Sequence, residues 1–448
     1  MQEKHLKFEA SARGNIFLYV RNVRPNITKT LCRKAKNKQE IIGGKMKYVI
    51  ILGDGMADYS VQSLHGKTPL SVAKKPMMDA LAKKGELGLV TTVPQGFTPG
   101  SDVANLGVLG YDVRECYTGR SPLEALSIGV HLGEDDIAIR TNLVTLSNED
   151  DFMAKTMVDY SAGEISAEES EVLMKAVADE FDNDVVNFYS GTSYRNLLVL
   201  RGVGKEKAKD FVLAPPHDIT GQPIKNHLPK GEMNEVLLDI LTRSHQVLKN
   251  HPINQKRVLS GQNSANNLWF WGQGTAPRLD DFKSKYGVKG AVVSAVDLLK
   301  GIATGAGMTA PEVAGATGNL TTNFEGKADT AISLLDTHDF VFVHLECTDE
   351  CGHQKDVEGK IKGIELIDEK ILTPIFKALD GKEDFKIMVL PDHPTPVSIG
   401  SHTADPVPYF IYDSRVEKEG DIYDEDTAKA SGNHHLHPWD LTKKFFEV

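Results

Sequence analysis

Asp54, Asp349, His353, Asp392, His393 and His402 are the side chains of this 448-residue chain best suited to hold divalent cations, and Ser101 is a hydroxyl that such cations could activate. Asp349 and His353 stand four apart, so one helical turn presents both on one face. Asp392 and His393 are adjacent between Pro391 and Pro394, where a chain leaving a strand bends and two neighbouring side chains can turn toward one point. Either feature alone would also suit a surface loop, and Gly53-Asp54-Gly55 alone would suit a plain turn. Their position gives them weight. Asp54, the Asp349–His353 pair and the Asp392–His393 pair each follow a short apolar run, at residues 47–52, 340–345 and 385–390. Such runs read as buried strands of a parallel sheet, and ligands of open α/β sheets collect at the carboxyl ends of those strands. The carboxylates and imidazoles suffice for two divalent metals, which points to a metal-dependent hydrolase or transferase.

A serine hydroxyl attacks poorly unless a base or a metal lowers its pKa. No histidine neighbours Ser101 in sequence, so metal activation is the more natural route. Gly100-Ser101-Asp102 precedes a helix-like apolar stretch at 103–110, which places Ser101 at a helix N-terminus, where free amides favour a phosphate. A plain N-cap serine fits the same local sequence.

The elements around these residues alternate as in an α/β protein. A strand at 47–53 leads to a helix over about 72–84, a strand at 86–93 and the loop before Ser101. Residues 126–282 differ in texture: strand-like runs at 137–146, 185–189 and 195–200, helices near 167–181 and 233–249, and a loop rich in Gly, Asn and Trp at 261–277. The α/β pattern reopens at 290–296 and continues with a helix at 329–336, a strand from Phe340, a helix over 355–378, a strand from Phe385, and a terminal loop and helix. The expected organisation is a discontinuous α/β domain with a mostly parallel sheet, residues 46–125 and 283–448, interrupted by an inserted α+β domain, residues 126–282. Residues 1–45 are rich in Lys and Arg and read as a dispensable extension or leader.

Composition narrows the classes. A net charge of -11 without a basic stripe beyond the first segment argues against a nucleic-acid binder. No apolar run approaches the roughly 18 residues of a membrane span. Four cysteines, Cys32, Cys116, Cys347 and Cys351, are too few for a disulfide framework and suit a reducing cytoplasm. Cys347 and Cys351 lack the second pair that a structural zinc would need.

Gly53-Asp54-Gly55-Met56-Ala57-Asp58, Thr98-Pro99-Gly100-Ser101-Asp102, Tyr117-Thr118-Gly119-Arg120, Asp349-Glu350-Cys351-Gly352-His353, Pro391-Asp392-His393 and Ser401-His402-Thr403-Ala404-Asp405-Pro406-Val407-Pro408 together resemble the cofactor-independent phosphoglycerate mutases of the archaeal type, in the alkaline phosphatase superfamily. The resemblance runs from Met46 almost to the C-terminus. It implies an alkaline-phosphatase-like three-layer domain and an inserted transferase-like domain that close on the substrate. By motif, one metal would be held by Asp349, His353 and His402, and the other by Asp54, Asp392, His393 and Ser101. Manganese is usual in the family, with magnesium, zinc or cobalt as alternatives, and no 2,3-bisphosphoglycerate is required. The implied reaction is the interconversion of 3-phosphoglycerate and 2-phosphoglycerate, a cytoplasmic step of glycolysis and gluconeogenesis, through a phosphoserine at Ser101. In the substrate-binding role, Arg140 and Arg195 are the best cations of the inserted domain, with Asp159, His217 and Asp218 as acid and base candidates. Lys285, in Ser284-Lys285-Tyr286-Gly287, resembles the catalytic lysine that follows the insertion, and the segment 266–274 is expected at the cleft. Monomer and homo-oligomer both remain open.

Two other activities use the same residues: a phosphomonoesterase or phosphonate hydrolase of the superfamily, and a homoserine-kinase-like phosphotransferase, although no G-x-x-x-x-G-K-[ST] loop is present. The histidine-rich Asn433-His434-His435-Leu436-His437 departs from the family pattern and is expected to be a solvated loop.

Overall fold

The computed structural model describes residues 46–447, so the basic extension at 1–45 lies outside the described residues. The described strands are, in chain order, β1 (Lys47–Gly53), β2 (Glu86–Val90), β3 (Ile137–Leu146), β4 (Met157–Asp159), β5 (Val186–Tyr189), β6 (Arg195–Leu200), β7 (Asn267–Thr275), β8 (Gly290–Val293), β9 (Phe340–Leu345), β10 (Phe385–Leu390), β11 (Val407–Asp413) and β12 (His434–His435). They form a seven-stranded sheet in the order β12-β2-β11-β10-β1-β9-β8 and a five-stranded sheet in which β3 pairs with β4, β6 and β7.

In the larger sheet β1, β9 and β10 are buried along their whole length, which is why they read as continuous apolar runs and not as alternating patterns. β1 lies between β10 and β9, parallel to both, with Leu52 opposite Leu390 on one side and His344 on the other. That register delivers the residues just past the three strands, Asp54, Glu346 and Asp392, to one edge. β8 also runs parallel, whereas β11 is antiparallel to β10 and β2. The fold is therefore α/β with a mostly parallel central sheet, as the sequence suggests.

Three local expectations change. The helix expected over 72–84 is two helices, Pro69–Val72 and Pro76–Lys83, because Pro76 breaks the run and restarts it. The backbone amides of Met77 and Met78 at the second start donate to the buried carboxylate of Asp368. The histidine-rich segment near the C-terminus is not a loop, since His434 and His435 pair in parallel with Leu89 and Val90. The outer edge of β2 has amides and carbonyls to satisfy, and backbone pairing of this kind is invisible to side-chain composition.

The third change is β7, a strand where a loop was expected at 261–277. It runs antiparallel along β3 from the pair Ile137 and Thr275 to the pair Val144 and Asn267. Glycine and asparagine are poor strand formers, but the burial of Trp269 and Phe270 against the sheet outweighs local preference. One face of this sheet packs Ile137, Ile139, Leu143, Leu198 and Phe270 under the helices Ala167–Phe181 and Asn234–Lys249. On the other face Ala138 joins one small core and Val144 another. Strand alternation puts Arg140 and Asn142 on that second face, between the two cores.

The helix Arg120–Ser127 contacts β3 and β7 on one side and the helix Asp297–Gly305 on the other, so it ties the two sheets together. Among the described residues no helix is long and apolar enough to cross a membrane.

Candidate metal centre and nucleophile

Asp54 follows β1 directly, and the chain turns at Gly55 with φ +60. A Cβ at Gly55 would lie 2.6 Å from Asp349 Oδ1, so glycine lets the strand end meet the helix that carries Asp349. Asp349 and His353 project from the helix Cys347–His353 with His353 Nε2 3.1 Å from Asp349 Oδ2. His402 Nε2 lies 3.0 Å from His353 Nε2 and 3.4 Å from Asp349 Oδ1. Beside this group, His393 Nε2 lies 3.5 Å from Asp54 Oδ1 and 3.4 Å from Asp392 Oδ2. Within each group one donor atom per residue lies within 4.8 Å of the others. Ser101 opens the helix Ser101–Val108, and its Oγ is 3.3 Å from Asp54 Oδ2 and 3.2 Å from His393 Nε2.

Several buried groups aim these donors. His353 Nδ1 is 3.1 Å from the Gly400 carbonyl, which can only accept, so Nδ1 donates there and Nε2 is the ring nitrogen that faces the cluster. Asp392 accepts from the amides of Gly55 and His393 and from Asn105 Nδ2 at 2.9 Å. Asn105 Nδ2 also donates to the Ser101 carbonyl at 2.9 Å, fastening the helix that Ser101 opens to the carboxylate of Asp392, a candidate metal ligand. Thr348 Oγ1 donates to the Asp54 carbonyl, and Thr395 Oγ1 to Asp349. Below them Lys360, fully buried, donates to Asp58 Oδ2 at 2.6 Å and to the carbonyls of Ala57 and Thr395, joining the loop after Asp54 to the loop after His393.

Asn105, Lys360, His344 and Ser294 carry no role in the sequence reading. For His344 a signal was available, an imidazole inside an otherwise apolar run. Its Nε2 lies 3.0 Å from Asp54 Oδ2 and its Nδ1 3.3 Å from Ser294 Oγ. Complete burial pushes its pKa down to about 4 and keeps the ring neutral. Lys360 offered no signal, because its partners come from distant parts of the chain.

The electrostatics fit divalent cations. Burial and the nearby carboxylates of Asp392 and Asp349 push Asp54 well above the usual carboxylate range. Asp54 Oδ1 is buried without a hydrogen-bond partner. The hydrogen bond to Asp349 pushes the His353 imidazole up to about 9. The cluster as a whole draws positive charge. Its donors are oxygen and imidazole nitrogen, a set that suits manganese, magnesium, zinc or cobalt. Cys347 and Cys351 flank Asp349 in sequence but belong to neither cluster; they are buried free thiols, which burial pushes up to about 12 and about 11.

The candidates of the inserted segment form a second array. The Arg140 guanidinium lies 4.3 Å from the Trp271 ring, the Trp271 ring 5.2 Å from His217, His217 6.1 Å from Tyr160, and Tyr160 5.9 Å from Tyr194, over which Arg195 sits at 4.9 Å. Arg140, His217 and Arg195 are thus brought together, and the segment 266–274 reaches them through Trp271. Asp218 is exposed beside His217, at 3.7 Å. Asp159 instead closes a turn, accepting from Ser161, Gly163 and Asn263. Lys285 is exposed, with its Nζ over the rings of Tyr111 and Tyr286 at 5.3 and 5.7 Å.

The family model for 2,3-bisphosphoglycerate-independent phosphoglycerate mutase matches residues 82–254. A relative bearing that name from Methanosarcina acetivorans is 47% identical over 387 residues, covering 86% of this chain and 95% of its own. A probable 2,3-bisphosphoglycerate-independent phosphoglycerate mutase from Geobacter sulfurreducens is 46% identical over 389 residues, covering 86% and 96%. Among solved structures, a Pyrococcus horikoshii protein is similar with a TM-score of 0.76 at 30% identity, covering 90% of this chain and 97% of its own. A cofactor-independent phosphoglycerate mutase from Thermoplasma acidophilum gives 0.63 at 26% identity, covering 89% and 98%. Likeness of this order over nearly the whole length of each relative settles kinship: the chain belongs to the 2,3-bisphosphoglycerate-independent phosphoglycerate mutase family, archaeal type.

Proposed function

We propose that this protein interconverts 3-phosphoglycerate and 2-phosphoglycerate by passing the phosphoryl group through Ser101. The observation that carries the reading is the position of Ser101 Oγ, 3.3 Å from Asp54 and 3.2 Å from His393, among the donors of the second metal group. Asp349, His353 and His402 would hold one divalent cation, and Asp54, Asp392, His393 and Ser101 a second, which supply positive charge that favours the ionised serine and offsets the phosphoryl oxygens. Manganese is the ion we propose, with magnesium, zinc and cobalt as alternatives.

Asn105 holds the Ser101 backbone so that Oγ faces the phosphoryl group. As the bond from Oγ to phosphorus forms, the bond to the 3-oxygen of glycerate breaks and the serine proton ends on that oxygen. The glycerate turns in place. Its 2-oxygen then attacks the phosphoserine, its proton returns to Ser101, and no net proton or electron is consumed. Water must be kept from the phosphoserine, or the enzyme becomes a phosphatase.

Residues 126–282 are the part we assign to that exclusion, with 46–125 and 283–448 as the metal-binding part. Arg195, His217, Asp218 and Lys285 are exposed, and we assign them to substrate binding and proton movement. Arg140 forks onto Glu124 through Nε and Nη2 and Asp159 closes a turn, so we assign both to holding the sheet. The reaction belongs to glycolysis and gluconeogenesis, and we place it in the cytoplasm.

A coupled assay of 2-phosphoglycerate formation tests the reading. We expect manganese-dependent turnover in the wild type and loss of at least ~10³-fold in Ser101→Ala, the scale of losing a covalent nucleophile. Turnover that persists in the alanine variant, or survives full chelation, would sink the proposal. Stoichiometric release of inorganic phosphate would instead favour the hydrolase.

A further inference from the structure

We infer that Arg120 receives the glycerate carboxylate beside Ser101, an assignment that rests on the mutase reading above. A cavity of about 340 Å³ opens next to the start of the nucleophile's helix, lined by Gly100, Asp102, Tyr117, Arg120 and His402 among others. Among the described residues that line it, Arg120 is the one arginine or lysine. His402 belongs to a metal group, and Asp102 is engaged by the Tyr117 hydroxyl at 2.6 Å and by the Val103 amide. When the phosphoryl group lies at Ser101, the anion left on the substrate is the carboxylate. The guanidinium fork matches it in two parallel hydrogen bonds.

Arg120 has a fixed base and a free end. Its flanks are clamped to β7, where the hydroxyls of Thr118 and Ser121 donate to the carbonyls of Thr275 and Gly272. Gly119 adopts φ +132, and a Cβ there would lie 2.8 Å from the Gln273 carbonyl, so the chain hugs the strand just before Arg120. The side chain itself is 49% exposed, and its ion pair, Nε to Glu124 Oε1, is long at 3.4 Å.

Glu124 does not depend on Arg120. Arg140 binds it in a fork, Nε to Oε2 at 2.9 Å and a second bond to Oε1, and Arg140 is only 8% exposed under Trp271. Trp271 is in turn held by its Nε1 donating to Asn142 Oδ1 at 2.8 Å. Arg120 can therefore leave Glu124 for an incoming carboxylate without stranding a carboxylate behind it. From sequence, Arg140 reads as a cation for the substrate and Arg120 has no role; the structure holds Arg140 on Glu124 under Trp271 and leaves Arg120 for the ligand.

The experiment compares wild type, Arg120→Met and Arg120→Lys, all loaded with manganese. Calorimetry reads 3-phosphoglycerate binding, steady-state assays read KM and kcat, and inhibition by glycerol 3-phosphate reports on a phosphomonoester without a carboxylate. In Arg120→Met we expect 3-phosphoglycerate binding and KM to worsen by ~10-fold or more, the scale of a lost charge-assisted pair. Glycerol 3-phosphate inhibition and the thermal midpoint should stay unchanged, and Arg120→Lys should recover part of the loss. Unchanged 3-phosphoglycerate binding in Arg120→Met would overturn the inference. So would an equal loss for glycerol 3-phosphate, which would place Arg120 on the phosphoryl group or in the scaffold. If the wild type forms no 2-phosphoglycerate, the mutase reading falls, and the calorimetric comparison of the two ligands still decides the role of Arg120.

Discussion

At the scale of single residues, the site depends on side chains that touch no substrate. His344 sits near the carboxyl end of β9, fully buried, with Asp54 on one ring nitrogen and Ser294 on the other. Ser294 Oγ accepts from the Val296 amide, which leaves its proton free for His344 Nδ1 and leaves the Nε2 proton for Asp54. The relay fixes the carboxylate's orientation before any ion arrives. His344→Leu would remove the donor while keeping the strand apolar. We expect manganese affinity to fall by about 10- to 100-fold, the range for losing a hydrogen bond behind a metal ligand, with His344→Gln less affected. Calorimetric titration with manganese measures it, and an unchanged affinity in the leucine variant would remove His344 from the positioning role.

Among the elements, the edge of the larger sheet is locked by charge. Glu86 at the start of β2 accepts from Lys418, from Lys444 on the terminal helix and from Tyr409 on β11. Burial opposes its ionisation, but those hydrogen bonds outweigh it and bring the carboxyl from 4.5 down to about 2. A carboxyl held lower in the folded than in the unfolded chain contributes stability above its unfolded value and loses it as pH falls toward the folded value. Glu86→Gln should therefore be less stable than wild type at pH 7, by on the order of 2–3 kcal/mol. The gap should close between pH 4.5 and about 2, as urea unfolding at a series of pH values would show. A pH-independent gap would mean that packing, not charge, locks the edge.

For the molecule as a whole, the proposed metal groups would couple ion binding to folding. Three aspartates converge where β1, β9 and β10 end, and the buried Asp54 Oδ1 has no hydrogen-bond partner there. A cation that binds only the folded chain stabilises it by mass action, about 2.7 kcal/mol at a hundredfold excess over Kd. Manganese should raise the thermal midpoint of chelator-treated protein, by several degrees at that excess, and the rise should be much smaller in Asp54→Asn. Equal shifts in both proteins would place the stabilising ion elsewhere. The helix Arg120–Ser127 gives the second coupling, because it packs on β3 and β7 of the smaller sheet and on the helix Asp297–Gly305, which reaches β8 of the larger one, and it carries Arg120 at the cavity and Glu124 beneath it.

The sequence by itself determined the α/β class, the strand ends at which the candidate carboxylates and imidazoles gather and the serine at a helix start, because each is written in local pattern: buried parallel strands are uniformly apolar, and the residues that follow them share one edge. It could not determine β7, since the stretch 267–275 is a strand only through what β3 and the packing of Trp269 and Phe270 offer it. Nor could it separate Arg120 from Arg140. Both are cations near one helix, and only the folded chain shows that Glu124 and Trp271 hold one and leave the other at a cavity. Pairings such as Lys360 with Asp58 and His344 with Ser294 follow the same logic. A buried polar group takes its meaning from its partner, and the partner is chosen by tertiary structure.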